Sequence, residues 1–333
     1  MESGRLCRGY KRYVNLWSSK MSCISVVIPS YNHSRFIKIA VESVLRQTHT
    51  NLELIVIDDG STDSSLDYLR TVKDDRYTLI EQLNAGAHNA INRGLEIAQG
   101  EYLTILNSDD VYHPQRLEKC LIQLKNGADL VCSWLQVIDE KGKCLGVKEG
   151  WKNMLPWEVS QLKNLTAKTY PFSLQLLLSN FVSTTSNMIF TRTLYNRIGG
   201  MANLRFAHDW DFLLRAAKSF NCEIIEAPLV EYRIHNKNTI SSNRSWMMFE
   251  ICWIYAVHTA AVLNSFPTQI THYDLDTEKA YLLGEIISAQ GNEKIIRMIL
   301  QYIDFQRNAG VIDPEAHLLE NKLLRDEFIR HIV

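Results

Sequence analysis

The stretch that decides the fold is residues 54–63, which reads Leu-Ile-Val-Ile-Asp-Asp-Gly-Ser-Thr-Asp. An apolar run with strong strand propensity ends here in a cluster of carboxylates and turn-forming residues. Two more stretches repeat the arrangement: residues 26–32 read Val-Val-Ile-Pro-Ser-Tyr-Asn, and residues 106–110 read Leu-Asn-Ser-Asp-Asp. Because ligands of open α/β sheets bind just beyond the carboxyl ends of the strands, this pattern predicts a parallel sheet with a site at one edge.

The segments on either side of this stretch alternate between strand and helix patterns as far as about residue 134. Pro114 begins one of the helices, because proline is well tolerated in a first helical turn. The alternation predicts an α/β fold, with a mostly parallel sheet and helices on both of its faces. The predicted strands are 24–28, 54–57, 77–81 and 102–106, and the predicted helices are 36–47, 64–70, 87–98 and 114–125.

The second half of the chain carries fewer strand signals. Residues 130–138 and 144–147, joined by a polar turn, predict a hairpin. Residues 150–180 have no clean period and predict a loop and a helix beside the site. We further predict a strand at 186–191, a helix at 209–220 and strands at 223–225 and 229–234. From residue 245 onward, apolar-periodic segments without strand signals predict a helical appendage.

Composition limits the classes of function. The chain has 333 residues, a length that fits about two domains. A hydrophobic share of 46% and a charged share of 22% are ordinary for a soluble globular protein. The net charge of −1 gives no electrostatic footprint for nucleic acid. The 7 scattered cysteines contain no Cys-x-x-Cys pair, which argues against a disulfide framework or a zinc site and for a reducing, cytoplasmic compartment.

Two segments raise the question of a membrane. Residues 1–20 carry five Lys or Arg against one Glu and lack the apolar core of a signal peptide. We expect a disordered basic extension over residues 1–21, with peripheral contact to anionic lipids as the alternative. The apolar run at 246–263 is interrupted by Glu250 and His258. We expect it to pack against the rest of the protein or in a homodimer through the C-terminal helices rather than to span a bilayer.

The cluster Asn107-Ser108-Asp109-Asp110 is the strongest candidate for a metal site. Mg²⁺ and Mn²⁺ favour oxygen ligands and commonly use one or two carboxylates together with substrate phosphates. Acidic clusters at neighbouring strand ends repel each other unless a cation or hydrogen-bond donors offset the repulsion. A nucleotide with a divalent metal would do so, and the alternative is solvated turn chemistry.

The first acidic cluster combines two kinds of role. Asp63 is well placed to cap the helix that follows, because Asp accepts hydrogen bonds from helical N–H groups. Asp59 is assigned to the ligand, since a carboxylate here can accept a hydrogen bond from a base N–H. Asp58 fits either role. Gly60 allows the backbone to turn closely beneath a ligand.

Two late stretches supply further candidates. His235, at the end of a predicted strand, offers an imidazole to a metal or a diphosphate, although a single His is often structural. Asp209 and Asp211 lie two positions apart, and residues at this spacing do not share a helix face. We therefore expect only one of them to enter the site. Asp209 can serve as an N-cap, as a general base, or as both.

Taken in order, these stretches resemble the family 2 inverting glycosyltransferases, which bind nucleotide-diphospho-sugars on a GT-A fold. The resemblance runs from about residue 24 to residue 242, so the expected GT-A domain is 22–242 and the C-terminal helical region is 243–333. It is carried by residues 27–32, 58–63, 84–86, 92–94, 98–102, 106–110, 208–211 and 232–235.

The resemblance implies a role for each matching residue. Asp209 would be the catalytic base. Mn²⁺ or Mg²⁺ would be held by Asp109, Asp110 and His235. The residues implied to contact the nucleotide-sugar are Pro29, Tyr31, Asn32, Asp59, Asn84, Gly86, Asn92 and Asp109.

Three positions depart from the family's pattern. Asn107 stands where the family often has the first Asp of its metal motif. Ile91 replaces a frequent basic residue, which removes one diphosphate contact. His208 replaces the Glu that usually precedes the base.

The implied reaction is a single in-line displacement at the sugar C1, with Asp209 deprotonating an acceptor hydroxyl. UDP is favoured as the nucleotide because Asp59 and Tyr31 suit a uracil pocket, although dTDP differs little there. A dinucleotide-dependent oxidoreductase is excluded, since Pro29-Ser30-Tyr31 stands where a Gly-x-Gly-x-x-Gly motif would begin. A non-catalytic protein that binds sugar nucleotides or glycans is the remaining alternative.

The expected acceptor is a glycan or a lipid-linked glycan in surface polysaccharide synthesis, because members of the family commonly extend such chains at the cytoplasmic membrane face. The polar stretch at 181–187 is expected to line an acceptor groove.

Overall fold

The computed structural model describes residues 23–150, 171–235, 243–264 and 291–332. Within these ranges one sheet holds nine strands. The strands are β1 (Ile24–Ser30), β2 (Leu52–Asp58), β3 (Tyr77–Glu81), β4 (Tyr102–Ile105), β5 (Val111–Tyr112), β6 (Leu130–Ile138), β7 (Cys144–Lys148), β8 (Ile189–Thr191) and β9 (Cys222–Arg233).

Helices cover the sheet and extend beyond its last strand. Those before β9 are α1 (Ile37–Leu45), α2 (Ser65–Leu69), α3 (Ala87–Ile97), α4 (Arg116–Lys125), α5 (Phe172–Leu178), α6 (Arg192–Ile198) and α7 (His208–Ala217). Those after it are α8 (Arg244–Asn264), α9 (Glu293–Asn308), α10 (Pro314–Glu320) and α11 (Lys322–Arg330).

The strand order is β3-β2-β1-β4-β8-β6-β9-β5, and β7 pairs with β6. The first four strands of this order are parallel, and their register places Ser30 opposite Asp58. The Asp59 amide donates to the Ser30 carbonyl, and the Leu106 amide donates to the Val27 carbonyl. The carboxyl ends of β1, β2 and β4 therefore meet at one edge, as the sequence predicted.

Beyond β4 the sheet is mixed. Strand β8 runs antiparallel to both of its neighbours, β4 and β6, whereas β9 runs parallel to β6. The predicted α/β class with flanking helices and C-terminal helices is confirmed, and the antiparallel pairs are an addition to it. The antiparallel pairs reverse the chain direction in the middle of the sheet. As a result the end of β9 lies beside the loop after β4 that carries Asp109 and Asp110.

Several predicted elements differ in detail. The predicted strand at 186–191 begins as a 3₁₀ turn at Thr185–Asn187, because the Thr184 hydroxyl accepts a hydrogen bond from the Ser186 amide. The two strands predicted at 223–225 and 229–234 are one strand, β9, whose register against β6 shifts around Trp134. Strand β5 and helix α6 were not predicted because they are too short to show a period. The region predicted to be loop and helix falls mostly on residues 151–170, outside the described residues, and α5 lies at its end.

The core has two parts, one on each face of the sheet. The first packs α1 and α4 against β1 and β2. The second packs α3, α5 and α7 against the opposite face and continues into the C-terminal helices through Phe249, Trp253 and Ile299. The described C-terminal helices thus share a core with α7.

Helix α8 contains the apolar run discussed above. Among the described residues it is the single helix long and apolar enough to cross a membrane, with a mean hydropathy of 1.4 in its most apolar window, but 56% of that window is buried inside the protein. It packs against α5, α7 and α9. Its interrupting residues Glu250 and His258 are both buried and hydrogen-bonded to protein groups.

Candidate functional site

Asn32 ties the loop after β1 to the loop after β2. Its backbone is left-handed, with φ at 53°. Its side-chain Oδ1 accepts a hydrogen bond from the Thr62 amide at 2.8 Å, and its own amide donates to Ser61 Oγ at 3.0 Å. Asp63 accepts from the Ser34 and Ser65 amides just before α2, whereas the N-cap of this helix is Ser64, one position later than predicted. The side-chain oxygen of Asn32, which was predicted to contact the nucleotide, is thus already engaged in joining the two loops.

Asp58 and Asp59 both point into the protein. Asp58 is fully buried and accepts from the amide and hydroxyl of Ser61. Asp59 is 3% exposed, and its carboxylate accepts from the Ala85 amide at 2.8 Å and the Gly86 amide at 2.9 Å. This corrects the expectation that Asp59 presents its carboxylate to a base. A desolvated carboxylate needs donors, and the loop between β3 and α3 supplies them.

Asn84 and Gly86 form that loop. The Asn84 side chain donates to the Asp59 carbonyl at 3.0 Å. Gly86 has φ at 92°, a conformation that glycine adopts without strain. A Cβ on Gly60 would lie 3.0 Å from the backbone nitrogen of Asn84, so the close approach of the two loops requires glycine at position 60. These contacts hold the exposed Asn84 beside the end of β2.

The structure contradicts the predicted donor contact of Asn92. Both polar atoms of its side-chain amide are bonded to the main chain of Met201, at 2.7 and 2.9 Å. A Cβ on Gly200 would lie 2.3 Å from the Asn92 oxygen. Asn92 is therefore a link between α3 and the segment after α6.

Two other residues predicted to contact the nucleotide-sugar remain accessible. Tyr31 is 46% exposed, and Pro29, two positions before it, is half-buried.

Three side chains that could hold a metal ion converge where β1, β4 and β9 end. His33, Asp109 and His235 each offer one ligand atom, and these atoms all lie within 4.8 Å of one another. His235 Nε2 is 2.9 Å from Asp109 Oδ2. Asp109 and His235 were predicted as metal ligands, but His33 was not.

Asp110 takes no part in this cluster, which corrects its predicted role as a metal ligand. It is 1% exposed, and its Oδ2 accepts from Ser186 Oγ at 2.6 Å while its Oδ1 accepts from the Arg233 amide at 3.0 Å. Burial, and next the charge of Asp109, raise the pKa of Asp110 to about 8. Asp110 instead fixes β9 and the 3₁₀ turn against the metal-binding loop.

Asn107 also turns toward the segment before β8. Its side-chain amide donates to Thr184 Oγ1 at 2.9 Å and accepts from Thr185 Oγ1 at 2.7 Å. Phe181 lies in the core, and residues 184–187 are buried. Residues 184–187 therefore pack beneath the surface against the loop that carries Asn107, Asp109 and Asp110. This buried position contradicts the predicted role of the segment as the lining of an acceptor groove.

Asp209 is the second residue of α7 and is 6% exposed, and the N-cap of this helix is Ala207 rather than Asp209, which corrects the predicted capping role. Its carboxylate accepts from the Trp210 amide at 2.7 Å and from the Asn180 side chain at 3.3 Å. Burial raises the pKa of Asp209 above its ordinary range, although His208 and the Trp210 amide act in the opposite direction. The charges of Asp109, Asp110 and Asp209 all act to raise the pKa of Tyr232, so the three carboxylates all lie near this side chain.

Lys148, at the end of β7, lies near Asp209 and was not among the predicted residues. It is 2% exposed, and its ammonium donates to Ser183 Oγ. Ser183 has φ at 76°, and its amide donates to the Asn180 side chain that also contacts Asp209. Burial lowers the pKa of Lys148 to about 7, while the charge of Asp209 acts in the opposite direction.

Asp211 faces away from the site, as the spacing of the two aspartates predicted. Its Oδ2 accepts from Arg215, and its Oδ1 lies 2.9 Å from His258 Nε2 on α8. Burial alone would raise the pKa of Asp211, but Arg215 and His258 together outweigh burial and lower it. Asp211 therefore anchors α7 to α8.

Glu250 of α8 anchors the loop in front of Asp209. Its carboxylate accepts from the amides of Arg205, Phe206 and Ala207 at distances of 2.7 to 3.0 Å. Burial raises the pKa of Glu250, and the three amides oppose the rise. A charged residue inside an apolar helix was the one signal in the sequence that could have identified this contact.

Three comparisons place the chain and its fold among known proteins. The family model described as "Glycosyl transferase family 2" matches residues 25–199, more than half of the 333 residues. An uncharacterized glycosyltransferase of Nostoc sp. is 36% identical over 127 residues, which make up 37% of this chain and 39% of the relative. The match thus spans well under two thirds of that relative's length.

Solved structures share the architecture. The crystal structure of S. aureus TarS residues 1–349 in complex with UDP matches with a TM-score of 0.57 at 19% identity, covering 92% of this chain and 89% of TarS. A mannosyltransferase of Pyrobaculum calidifontis, in complex with GDP-Man and Mn²⁺, matches with a TM-score of 0.50 at 15% identity, covering 92% and 84%. At these identities the likeness establishes the fold.

Proposed function

The chain belongs to glycosyl transferase family 2, and we propose that it transfers a sugar from a nucleotide-diphospho-sugar to an acceptor hydroxyl with inversion at C1. The observation that carries this proposal is the arrangement at one sheet edge. A cluster able to hold a metal, at Asp109 and His235, and the buried carboxylate of Asp209 both lie near one residue, since Asp109 and Asp209 are each close enough to Tyr232 to raise its pKa. One group suits a diphosphate and the other suits an acceptor proton, which are the two requirements of the reaction.

The donor is expected to lie over the loops after β1 and β2. Tyr31, on the loop after β1, offers an exposed ring for stacking on the base, and Asn84, held beside the end of β2, offers its exposed side-chain oxygen. We propose UDP as the nucleotide. TarS, which shares the fold, has been solved with UDP, and the Pyrobaculum mannosyltransferase with GDP-Man, so the choice among nucleotides needs a direct test.

The metal is proposed to be Mn²⁺ or Mg²⁺. The donor set fits a divalent cation, since a carboxylate oxygen of Asp109 and a nitrogen of His235 already lie close together. When bound, the ion would neutralise the negative charge of the diphosphate leaving group.

Asp209 is proposed as the general base. Burial moves the pKa of Asp209 closer to neutral pH. A base with such a pKa is still ionised at neutral pH and accepts a proton more readily than an ordinary carboxylate. The carboxylate takes the acceptor hydroxyl proton while the acceptor oxygen forms its bond to C1 and the bond from C1 to the diphosphate oxygen breaks. Asn180 and the Trp210 amide hold the carboxylate in one orientation for this step.

The division of the chain is part of the proposal. The GT-A domain is assigned to 22–242 and the helical region to 243–333, after a basic extension at 1–21. Glu250 and His258 of α8 hold the loop before Asp209 and the carboxylate of Asp211. We therefore expect the helical region to be needed for an active enzyme, and any homodimer to form on the outer face of these helices.

A donor screen tests the reaction. The full-length protein is incubated with UDP-, dTDP- and GDP-sugars and Mn²⁺, and release of the nucleoside diphosphate is measured with water or with glycan acceptors. We expect release from one nucleotide class and its loss in Asp209→Asn. Tight binding of a sugar nucleotide with no release under any condition would favour a non-catalytic binding protein.

The acceptor is proposed to be a glycan or lipid-linked glycan in surface polysaccharide synthesis, reached at the inner face of the cytoplasmic membrane. The five basic residues among the first 20 support peripheral contact with anionic lipid. Flotation of the full chain with anionic liposomes tests this, with a variant carrying Gln at those five positions as the control. Failure of the wild type to float would refute the membrane contact and leave the transferase proposal intact.

A further inference from the structure

The candidate metal cluster draws its ligands from three separate loops. His33 follows β1, Asp109 follows β4 and His235 follows β9. An imidazole on the loop after β1 therefore joins the carboxylate and imidazole assigned above. The three ligand atoms lie within 4.8 Å of one another, a spacing that one ion can bridge after small side-chain rotations.

The His33 ring is held in place by its neighbours. Its Nδ1 lies 2.6 Å from Ser108 Oγ, a residue of the metal-binding loop itself. The ring meets His235 edge to face, with centroids 5.8 Å apart, and Phe36 packs against both histidines. Outer groups that hydrogen-bond to a histidine commonly orient it for a metal, and Ser108 is placed to do this for His33.

The charge of the cluster differs from that of an all-carboxylate site. Asn107 is uncharged and bonded to Thr184 and Thr185, and Asp110 is turned into the protein. Asp109 is left as the single carboxylate beside two imidazoles. Mg²⁺ favours oxygen ligands and keeps its waters, whereas imidazole nitrogen suits transition-metal ions.

We propose that His33 is a third protein ligand of the metal and makes the site selective for transition-metal ions such as Mn²⁺ and Co²⁺ over Mg²⁺. With three protein ligands, the ion binds before the nucleotide rather than only together with it. This inference rests on the metal role proposed for Asp109 and His235, and it adds a residue, a metal class and a binding order.

The test measures metal binding to the full-length protein without nucleotide. Titration calorimetry gives the affinities for Mn²⁺, Co²⁺ and Mg²⁺, and pulsed EPR of bound Mn²⁺ counts the coordinated imidazoles. We expect at least about tenfold tighter binding of Mn²⁺ than of Mg²⁺ in the wild type, and two imidazoles on the ion. His33→Gln should weaken Mn²⁺ binding by about tenfold or more and leave one imidazole.

His113→Gln serves as the matched control, because His113 is exposed at the start of α4 and lies outside the cluster. One imidazole in the wild type, or unchanged Mn²⁺ affinity in a folded His33→Gln variant, would overturn the inference while the metal site at Asp109 and His235 stands. If His33→Gln does not fold, the imidazole count of the wild type decides. Absence of metal binding with and without UDP would overturn the metal role in the proposed function as well.

Discussion

Two pairs of aspartates, Asp109 with Asp110 and Asp209 with Asp211, are alike in that the two members of each pair have different roles. In each pair one carboxylate faces the candidate site and the other is buried among protein donors. Asp109 contacts His235 while Asp110 accepts from Ser186 and the Arg233 amide. Asp209 lies in the first turn of α7, while Asp211 contacts Arg215 and His258. Adjacent acidic residues are therefore not interchangeable ligands.

The two buried members differ in how their charge is balanced. Asp211 has a cation, Arg215, and a histidine, and its pKa is lowered. Asp110 accepts from a hydroxyl and an amide, but burial and the like charge of Asp109 outweigh these donors and the charge of Arg233 and raise its pKa to about 8. A buried carboxylate is favoured in its ionised form when positive partners compensate its desolvation, and disfavoured when desolvation and a like charge outweigh them. The charge of Asp211 is thus balanced by its partners, whereas that of Asp110 is not fully balanced.

The largest effect should come from the site-facing member of the second pair. Asp209→Asn should lower sugar transfer by about 10²- to 10⁴-fold, because the amide cannot accept the acceptor proton. UDP binding should change little, since Asp209 is assigned to the acceptor. Turnover assays paired with calorimetry measure both, and retention of most of the activity would move the base elsewhere.

The buried partner should act on stability instead. Asp211→Asn should lower the free energy of unfolding by about 3 kcal/mol, because it removes the buried carboxylate that pairs with half-buried Arg215 and with buried His258. Chemical denaturation measures this loss. Asp304→Asn is the matched control, since Asp304 is exposed and its pair with Arg307 should contribute less than about 1 kcal/mol. Equal losses in the two variants would contradict the assigned role of Asp211.

The first pair should separate in metal affinity. Asp109→Asn should weaken Mn²⁺ binding by about tenfold or more, because it removes the single carboxylate of the cluster. Asp110→Asn should change it much less, since Asp110 is turned away from the cluster and an amide can keep hydrogen bonds to Ser186 and to the Arg233 amide. Calorimetric titration of both variants with Mn²⁺ tests the contrast. A greater loss in Asp110→Asn would restore Asp110 as a ligand.

Lys148 provides a smaller effect that depends on pH. Its pKa is lowered to about 7 in the folded protein, so the unfolded chain binds more protons between pH 7 and its ordinary value of 10.5. The burial penalty is therefore complete below pH 7 and disappears as the pH rises. Between pH 7.5 and 9.5, the unfolding free energy of the wild type should rise relative to Lys148→Met by at most about 1.4 kcal/mol per pH unit. Parallel pH profiles of the two proteins would show that Lys148 is charged in the fold.

The sequence identified the edge of the sheet that carries the site, because an apolar run followed by acidic or turn residues marks the end of a parallel strand. The family assignment from the ordered motifs is confirmed by the family match over residues 25–199. The sequence pattern did not predict in which direction each side chain points. Asp110 is oriented by Ser186 and Arg233, which lie 76 and 123 positions away, and no local pattern reports such contacts.

The same limit explains His33 and Asn92. As a single histidine in a turn, His33 carries no signal in the sequence that marks it as a ligand. It becomes a candidate ligand because the fold brings His235 beside it. Asn92 was predicted to contact the donor because its neighbours match a motif, yet its amide is used by Met201, 109 positions away. Motif spacing identifies which loops form the site, and tertiary contacts determine which side chain in each loop faces it.

Metal-dependent binding of UDP is the most direct test of the proposed site. Calorimetry of UDP with the full-length protein, in Mn²⁺ and then in a chelator, is compared between the wild type and Asp109→Asn. We predict binding at least about tenfold tighter with Mn²⁺ in the wild type, and loss of most of that gain in the variant. UDP binding of equal strength in chelator and in Mn²⁺, with no change in Asp109→Asn, would contradict the assignment of this edge as a metal-assisted diphosphate site.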